Sequence, residues 1–160
     1  MSSADQRESS DDPRNLQRFV DAQDRDGTYD AALAELRGGA KRSHWMWFVF
    51  PQIAGLGTSA TSRAYAIASL DEARAYLDHP VLGPRLRECA AVVAGVEGRS
   101  AEAILGPVDA QKLRSSMTLF LRAAPDESVF KEVLDRFFDG HGDDATDRLL
   151  GRSGGRTPPP

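Results

Sequence analysis

The sequence predicts an all-α fold: a single compact helical domain over 15–150 with one ordered, aromatic-rich loop and disordered N- and C-terminal tails at 1–14 and 151–160. Three observations lead there. Apolar residues recur at i, i+3, i+4 and i+7 through most of the chain. Capping and stop residues bracket those runs, and a single stretch, 40–62, breaks the period. The 160 residues suit one domain, and 41% hydrophobic with 28% charged content is that of a soluble globular chain. The two tails are polar without an apolar period, the second reading Gly-Arg-Ser-Gly-Gly-Arg-Thr-Pro-Pro-Pro.

Leu16, Phe19 and Val20 define a first short helix, with Asn15 as its expected N-cap. Thr28 is the expected cap of a second, in which Ala31, Ala32, Leu33 and Leu36 precede a stop at Gly38-Gly39. The two make a helical hairpin. Ser69 with Glu72 matches a capping box, opening a helix that carries Leu70, Ala73, Tyr76 and Leu77 and ends before His79-Pro80. His79 closes that helix, where its cationic form would suit the dipole. Pro84 starts the next run, Leu86, Ala90, Val93 and Ala94, which Gly95 ends. Asp109 is the expected N-cap of a helix striped by Leu113, Met117, Phe120 and Leu121 and stopped by Pro125. Asp126 opens a last one, whose Val129, Phe130, Val133, Leu134, Phe137 and Phe138 run to Gly140. His141 follows in an acidic, glycine-rich turn and is expected at the surface.

Within 40–62, Val49, Phe50 and Ile53 could form a strand, but it has no evident partner. Unpaired backbone groups are costly when buried, so an ordered, largely buried loop is expected instead. Loops of this length are functional or disordered, and this one is too apolar for disorder.

Composition removes several functions. Lys and Arg number 20 against 24 Asp and Glu, a net charge of −4, which supplies no basic field for non-specific duplex DNA binding. The longest apolar block, 45–51, is far short of a membrane span. The N-terminus has neither the basic start nor the apolar segment of a secretory signal, and a cytoplasmic location is expected. Cys89 is the single cysteine, so no internal disulfide can form, and beside Ala90-Ala91-Val92 it reads as a small core residue. Three scattered histidines give no metal spacing, and no metal or cofactor is expected. The phosphate-loop, dinucleotide, nucleophile-elbow and EF-hand motifs are missing.

The informative segment is Lys41-Arg42-Ser43-His44-Trp45-Met46-Trp47-Phe48-Val49-Phe50-Pro51-Gln52, which holds both tryptophans beside cationic and titratable side chains. Indole and phenyl rings can stack on a base, Lys41 and Arg42 can neutralise phosphate, and His44 can carry a proton near neutral pH. Alternatively, Trp45, Trp47, Phe48 and Phe50 build the core and the cations are solvated. A second polar set, Asp109, Lys112, Ser115 and Ser116, opens the later helix, whose N-terminus attracts anions. Aspartate at a helix start is most simply a cap. Mid-helix serines usually answer to close packing or a ligand.

Leu16-Gln17-Arg18-Phe19-Val20-Asp21-Ala22-Gln23, the 41–52 block, Tyr65-Ala66-Ile67, His79-Pro80-x-Leu82-Gly83-x-Arg85-Leu86 and Asp109-x-x-Lys112-Leu113-x-Ser115-Ser116-Met117-Thr118-Leu119-Phe120 together resemble an uncharacterised bacterial family, domain of unknown function eighteen-ten. The resemblance spans 15–150. Members have been labelled calpastatin, but calpastatin works through disordered repeats, whereas this chain is non-repetitive and patterned to fold alone. A shorter likeness, Tyr76-Leu77-x-His79-Pro80-x-Leu82 followed by Asp109-x-x-Lys112, is similar to the later half of the NADAR superfamily of ADP-ribose and N-glycosidic bond chemistry. The early Glu-His pair of those proteins is missing.

The co-occurrence of aromatic, cationic and hydroxyl side chains in these two segments, together with the NADAR likeness, points to a nucleotide or ADP-ribose-related N-glycosidase or hydrolase, its pocket between the 41–52 loop and the helix at 109. Its catalytic residues would be His44, Asp109 and Lys112, with Asp109 stabilising an oxocarbenium-like transition state. Lys41, Arg42, Ser43, Trp45, Trp47, Phe50, Gln52, Ser115 and Ser116 would bind the ligand. The alternative is a non-catalytic module for a small anionic molecule or a protein partner.

Overall fold

The computed structural model describes residues 12–151, in which helices joined by turns and loops make up the fold, with no β-strand among them. The expected tails fall outside the described residues except at 12–14 and 151. Helix α1, Gln17–Asp24, begins where Asp12 accepts the Leu16 and Gln17 backbone N–H groups at 2.7 and 3.0 Å. Asn15, the expected cap, instead takes a left-handed conformation with φ 54° that turns the chain and leaves capping to Asp12. Helix α2, Thr28–Arg37, has Gly27 at its cap position, and Thr28 lies inside its first turn. Gly38 and Gly39 end it as the sequence predicts.

The 40–62 stretch is more regular than a loop. Helix α3, Met46–Val49, and helix α4, Ala60–Ala64, form within or across its end. An isolated parallel bridge joins Ile53 to Ile67, closed by Ile67 N–H to Gln52 O and Ala54 N–H to Ile67 O, both 2.8 Å. Ile67 is the strand partner that sequence spacing did not reveal.

Helix α5, Leu70–Asp78, is capped as expected: Ser69 Oγ accepts the Glu72 N–H at 3.1 Å. Glu72 reaches one residue further back, to the Ala68 N–H at 2.9 Å. Helix α6, Leu82–Ala94, starts two residues before Pro84 because His79 supplies its cap, Nδ1 accepting from Val81 and Leu82 at 3.1 and 3.2 Å. His79 thus ends α5, as the sequence predicts, and also caps α6.

Helix α7, Ala101–Leu105, was not legible in the sequence and is capped by Ser100. Helix α8 then runs Pro107–Ala123. Pro107 at its first position, its φ preset for a helix, moves the start ahead of Asp109, which is the third residue rather than the cap. Helix α9, Ser128–Phe138, has Glu127 rather than Asp126 at its cap position, and Glu127 spends its carboxylate on Arg87 at 2.7 Å. Helix α10, Asp144–Leu149, occupies what reads as an acidic turn, and His141 before it is exposed.

Helix α8 is the axis of the fold, packed against α5, α7, α9 and α10, while α6 lies against α2, α5 and α9. A line of rings crosses the core, with centroids 5.2 Å apart for Phe19–Tyr76, 5.4 Å for Tyr76–Phe120 and 5.9 Å for Phe120–Phe130. Such tilted aromatic pairs add about 0.5–1.5 kcal/mol each beyond their area burial. Cys89 is buried among these helices, and burial pushes its thiol up to about 12. It is the inert core residue its neighbours predict.

Candidate functional site

The 41–52 segment is held in place by one carboxylate. Glu35, on α2, accepts the Arg42 and Ser43 N–H groups at 2.7 and 3.0 Å, the Ser43 hydroxyl at 2.6 Å and the Trp45 indole N–H at 2.8 Å. Burial pushes the Glu35 carboxyl up, but these donors, the Ser43 hydroxyl foremost, outweigh it and bring it down to about 2. A group so strongly held ionised braces the loop and is unsuited to proton transfer near neutral pH. Two further bonds complete the anchorage: Lys41 N–H to Ile104 O at 2.7 Å, and Gln23 Nε2 to Phe48 O at 2.7 Å.

This anchorage brings the loop against the first turns of α8. Lys41 Nζ lies 2.9 Å from Asp109 Oδ2, and Lys112 Nζ lies 3.7 Å from Asp109 Oδ1. The side chains are 10%, 18% and 22% exposed for Lys41, Asp109 and Lys112, so the cluster is largely withdrawn from water. Each ammonium also faces an indole, Lys41 at 5.2 Å from the Trp45 ring centroid and Lys112 at 4.9 Å from that of Trp47. Contacts of this kind contribute about 0.5–2 kcal/mol, more as they lose water. Asp109 gains further from its place in the first turn of α8, where the helix dipole favours a negative charge.

Lys41, Trp45, Trp47, Asp109 and Lys112 are thus assembled, as the sequence predicts for its two polar segments. The other candidate residues have different roles. Trp45 and Phe50 are 1% exposed and belong to the core, leaving no ring face on which a base could stack. Arg42 and His44 are exposed, and no hydrogen bond or ion pair joins their side chains to the cluster among the described residues. Ser43 serves Glu35, and Gln52, half-buried, takes the Ile67 N–H through its backbone carbonyl.

Ser115 turns away to a buried junction. Its hydroxyl meets Gln111 O at 3.1 Å and Asp143 Oδ2 at 3.0 Å, while Asp143 also accepts from Gln111 and from the Thr146 backbone. The packing explanation of a mid-helix serine therefore holds for Ser115. Ser116 differs: it is fully buried, and its hydroxyl has no hydrogen-bond partner among the described residues. The Trp47 indole N–H is likewise buried without a partner. Neither feature has a sequence signal, since both depend on which groups the fold brings opposite.

Among the described residues no group of three or more His, Cys, Asp or Glu side chains is placed to hold a metal ion, and no helix is long and apolar enough to cross a membrane.

A family model described as a protein of unknown function, DUF1810, matches residues 13–150. The crystal structure of a conserved hypothetical protein from Mycobacterium tuberculosis is similar over 89% of this chain and 100% of that one, at 51% identity and a TM-score of 0.85. No curated protein matches the chain, so the NADAR likeness rests on its two short segments alone. The family match runs through the brace, the loop and the long helix alike, and the chain belongs to the DUF1810 family of proteins of unknown function.

Proposed function

We propose that the protein binds a small anionic molecule where the 41–52 segment meets α8, with Lys41 and Lys112 as its cations. The observation that carries this reading is the excess of charge in a sheltered place: two ammoniums share the single carboxylate of Asp109. A pair closed on itself would need one of each. Here Lys112 is left with a contact of 3.7 Å only, beside the Trp47 indole and in surroundings where a Coulombic contact is worth several times its value in water.

Binding is better supported than catalysis. An N-glycosidase needs a free carboxylate to stabilise positive charge on the sugar, and Asp109 is already engaged by both lysines. His44, the proposed proton carrier, is exposed and away from hydrogen-bond contact with the cluster. One feature favours hydrolysis of an ADP-ribose-like substrate as a second reading: the Lys112 contact with Asp109 is the longer one, so an incoming phosphate that draws Lys112 away would free one carboxylate oxygen.

The test is thermal unfolding of the full chain with ADP-ribose, NAD, nucleoside monophosphates and simple anions. A ligand at about a hundred times its dissociation constant adds roughly 2.7 kcal/mol, a rise of several degrees. Lys112→Met should abolish the rise and keep the unligated midpoint within a few degrees of the parent. A rise that survives Lys112→Met would place the ligand elsewhere. Release of free base from ADP-ribose or NAD, followed by chromatography, would bring the hydrolase reading forward.

A further inference from the structure

We propose that the anion held at this site is the phosphate group of a small molecule, gripped by three donors: the Trp47 indole N–H, the Ser116 hydroxyl and the Lys112 ammonium. This rests on the anion-binding reading and narrows it to one chemical group, with the organic remainder of the ligand contributing little.

The chain supplies its own controls. Trp45 and Trp47 lie two residues apart, yet the Trp45 N–H donates to Glu35 at 2.8 Å while the buried Trp47 N–H has no partner among the described residues. Three hydroxyls lie close together on α8. Ser115 bonds back to Gln111 O and Thr118 to Arg114 O, at 3.1 and 2.8 Å, the usual refuge of a hydroxyl within a helix. Ser116, the most buried of the serines there, does neither. Buried polar groups are nearly always paired, and each orphan costs about 1–3 kcal/mol.

One orphan belongs to the ring that Lys112 faces, and the other follows Lys112 by one turn of α8. Lys112 Nζ sits 4.9 Å from the Trp47 ring centroid, and Ser116 is one turn further along the same face of α8, about 5–6 Å from Lys112 between Cβ atoms. Lys112 is also the ammonium with charge to spare, since Lys41 holds Asp109 at 2.9 Å and Lys112 only at 3.7 Å. An indole N–H and an ammonium can only donate, and the serine hydroxyl can join them, so the cradle calls for a ligand that only accepts. Phosphate offers several accepting oxygens around one centre, and so meets donors arriving from different elements better than a flat carboxylate does. Base identity should matter little, because the Trp45 and Phe50 rings have no free face and Lys112 lies over one face of Trp47.

Titration calorimetry of the full chain with inorganic phosphate, ribose 5-phosphate, AMP, GMP and acetate tests this. The expected result is that the two nucleotides and ribose 5-phosphate bind within a few-fold of each other, while acetate binds at least about tenfold more weakly, having fewer oxygens for the charge-assisted bonds. Trp47→Phe keeps the ring and Ser116→Ala removes only a hydroxyl, and each should weaken phosphate binding about tenfold, the worth of one hydrogen bond to a charged group. The parent protein gives a readout independent of any variant's folding: in proton–nitrogen NMR spectra the Trp47 indole N–H should move on adding inorganic phosphate, and the Trp45 N–H should stay. An unmoved Trp47 N–H at saturating phosphate overturns the proposal, as does acetate binding as tightly as phosphate or a strong preference between AMP and GMP. In those cases the anion site itself stands, provided Lys112→Met abolishes binding. Absence of binding by every anion overturns both.

Discussion

At the scale of single residues, Glu35 does the most for the site without belonging to it. Its four hydrogen bonds fold residues 42–45 around one carboxylate and so point Lys41 at Asp109. Because its folded value is depressed to about 2 from an ordinary 4.5, its contribution to stability is fully present above pH 4.5 and is lost as pH falls towards 2. Glu127, lowered by its bond to Arg87, acts with the same sign. Glu35→Gln should therefore lower stability by about 1–3 kcal/mol near neutral pH and flatten the acid limb of a plot of unfolding midpoint against pH. An acid limb as steep as the parent's would show that another carboxylate governs it. Sequence spacing does not reveal this role of Glu35, since all four of its donors come from residues 42–45 and reach it through the backbone path of the loop.

At the scale of elements, the longer helices are legible in the sequence and several of their starts are not. The apolar stripes on α2, α5, α6, α8 and α9 lie where their spacing predicts, because burying a face at period 3.6 is a property of the local sequence. The starts moved wherever a cap came from an unexpected residue: Asp12 for α1, His79 for α6 and Pro107 for α8. The α5–α6 corner is unusually tight, and Gly83 shows why it is glycine. A Cβ there would lie 2.1 Å from Leu77 O, a contact with backbone that has little room to yield. Gly83→Ala should cost about 1–3 kcal/mol, read as a fall in the urea midpoint with an unchanged slope. A midpoint equal to the parent's would mean that the corner relaxes freely. The short helices α7 and α10 escaped notice because five or six residues carry too little periodicity to stand above a loop.

At the scale of the whole molecule, α8 serves two ends of the fold at once. One of its faces receives the 41–52 segment through Asp109 and Lys112, while Ser115 on another receives α10 through Asp143. The second junction is buried and fully bonded, so its parts should act together. Ser115→Ala and Asp143→Ala should each destabilise the chain, and the double variant should cost less than the two added, with a coupling of about 0.5–3 kcal/mol in a double-mutant cycle. Additivity would mean that α10 docks through its apolar contacts alone. The exposed Leu149 packs beside Gly55, so α10 also touches the segment that follows the cationic loop.

The all-α class, the main helical stripes, the inert Cys89 and the pairing of a cationic aromatic segment with a polar helix start follow from the sequence alone, because residue type and short-range spacing carry them. Tertiary structure decided which of those candidates lie together. It took Trp45 and Phe50 into the core, spent Ser43 on Glu35 and Ser115 on Asp143, and left the Trp47 indole N–H and the Ser116 hydroxyl buried without partners among the described residues. The reason is that hydrogen-bond satisfaction is a property of pairs, and nearly all of these pairs are closed between elements that only the packing around α8 brings together.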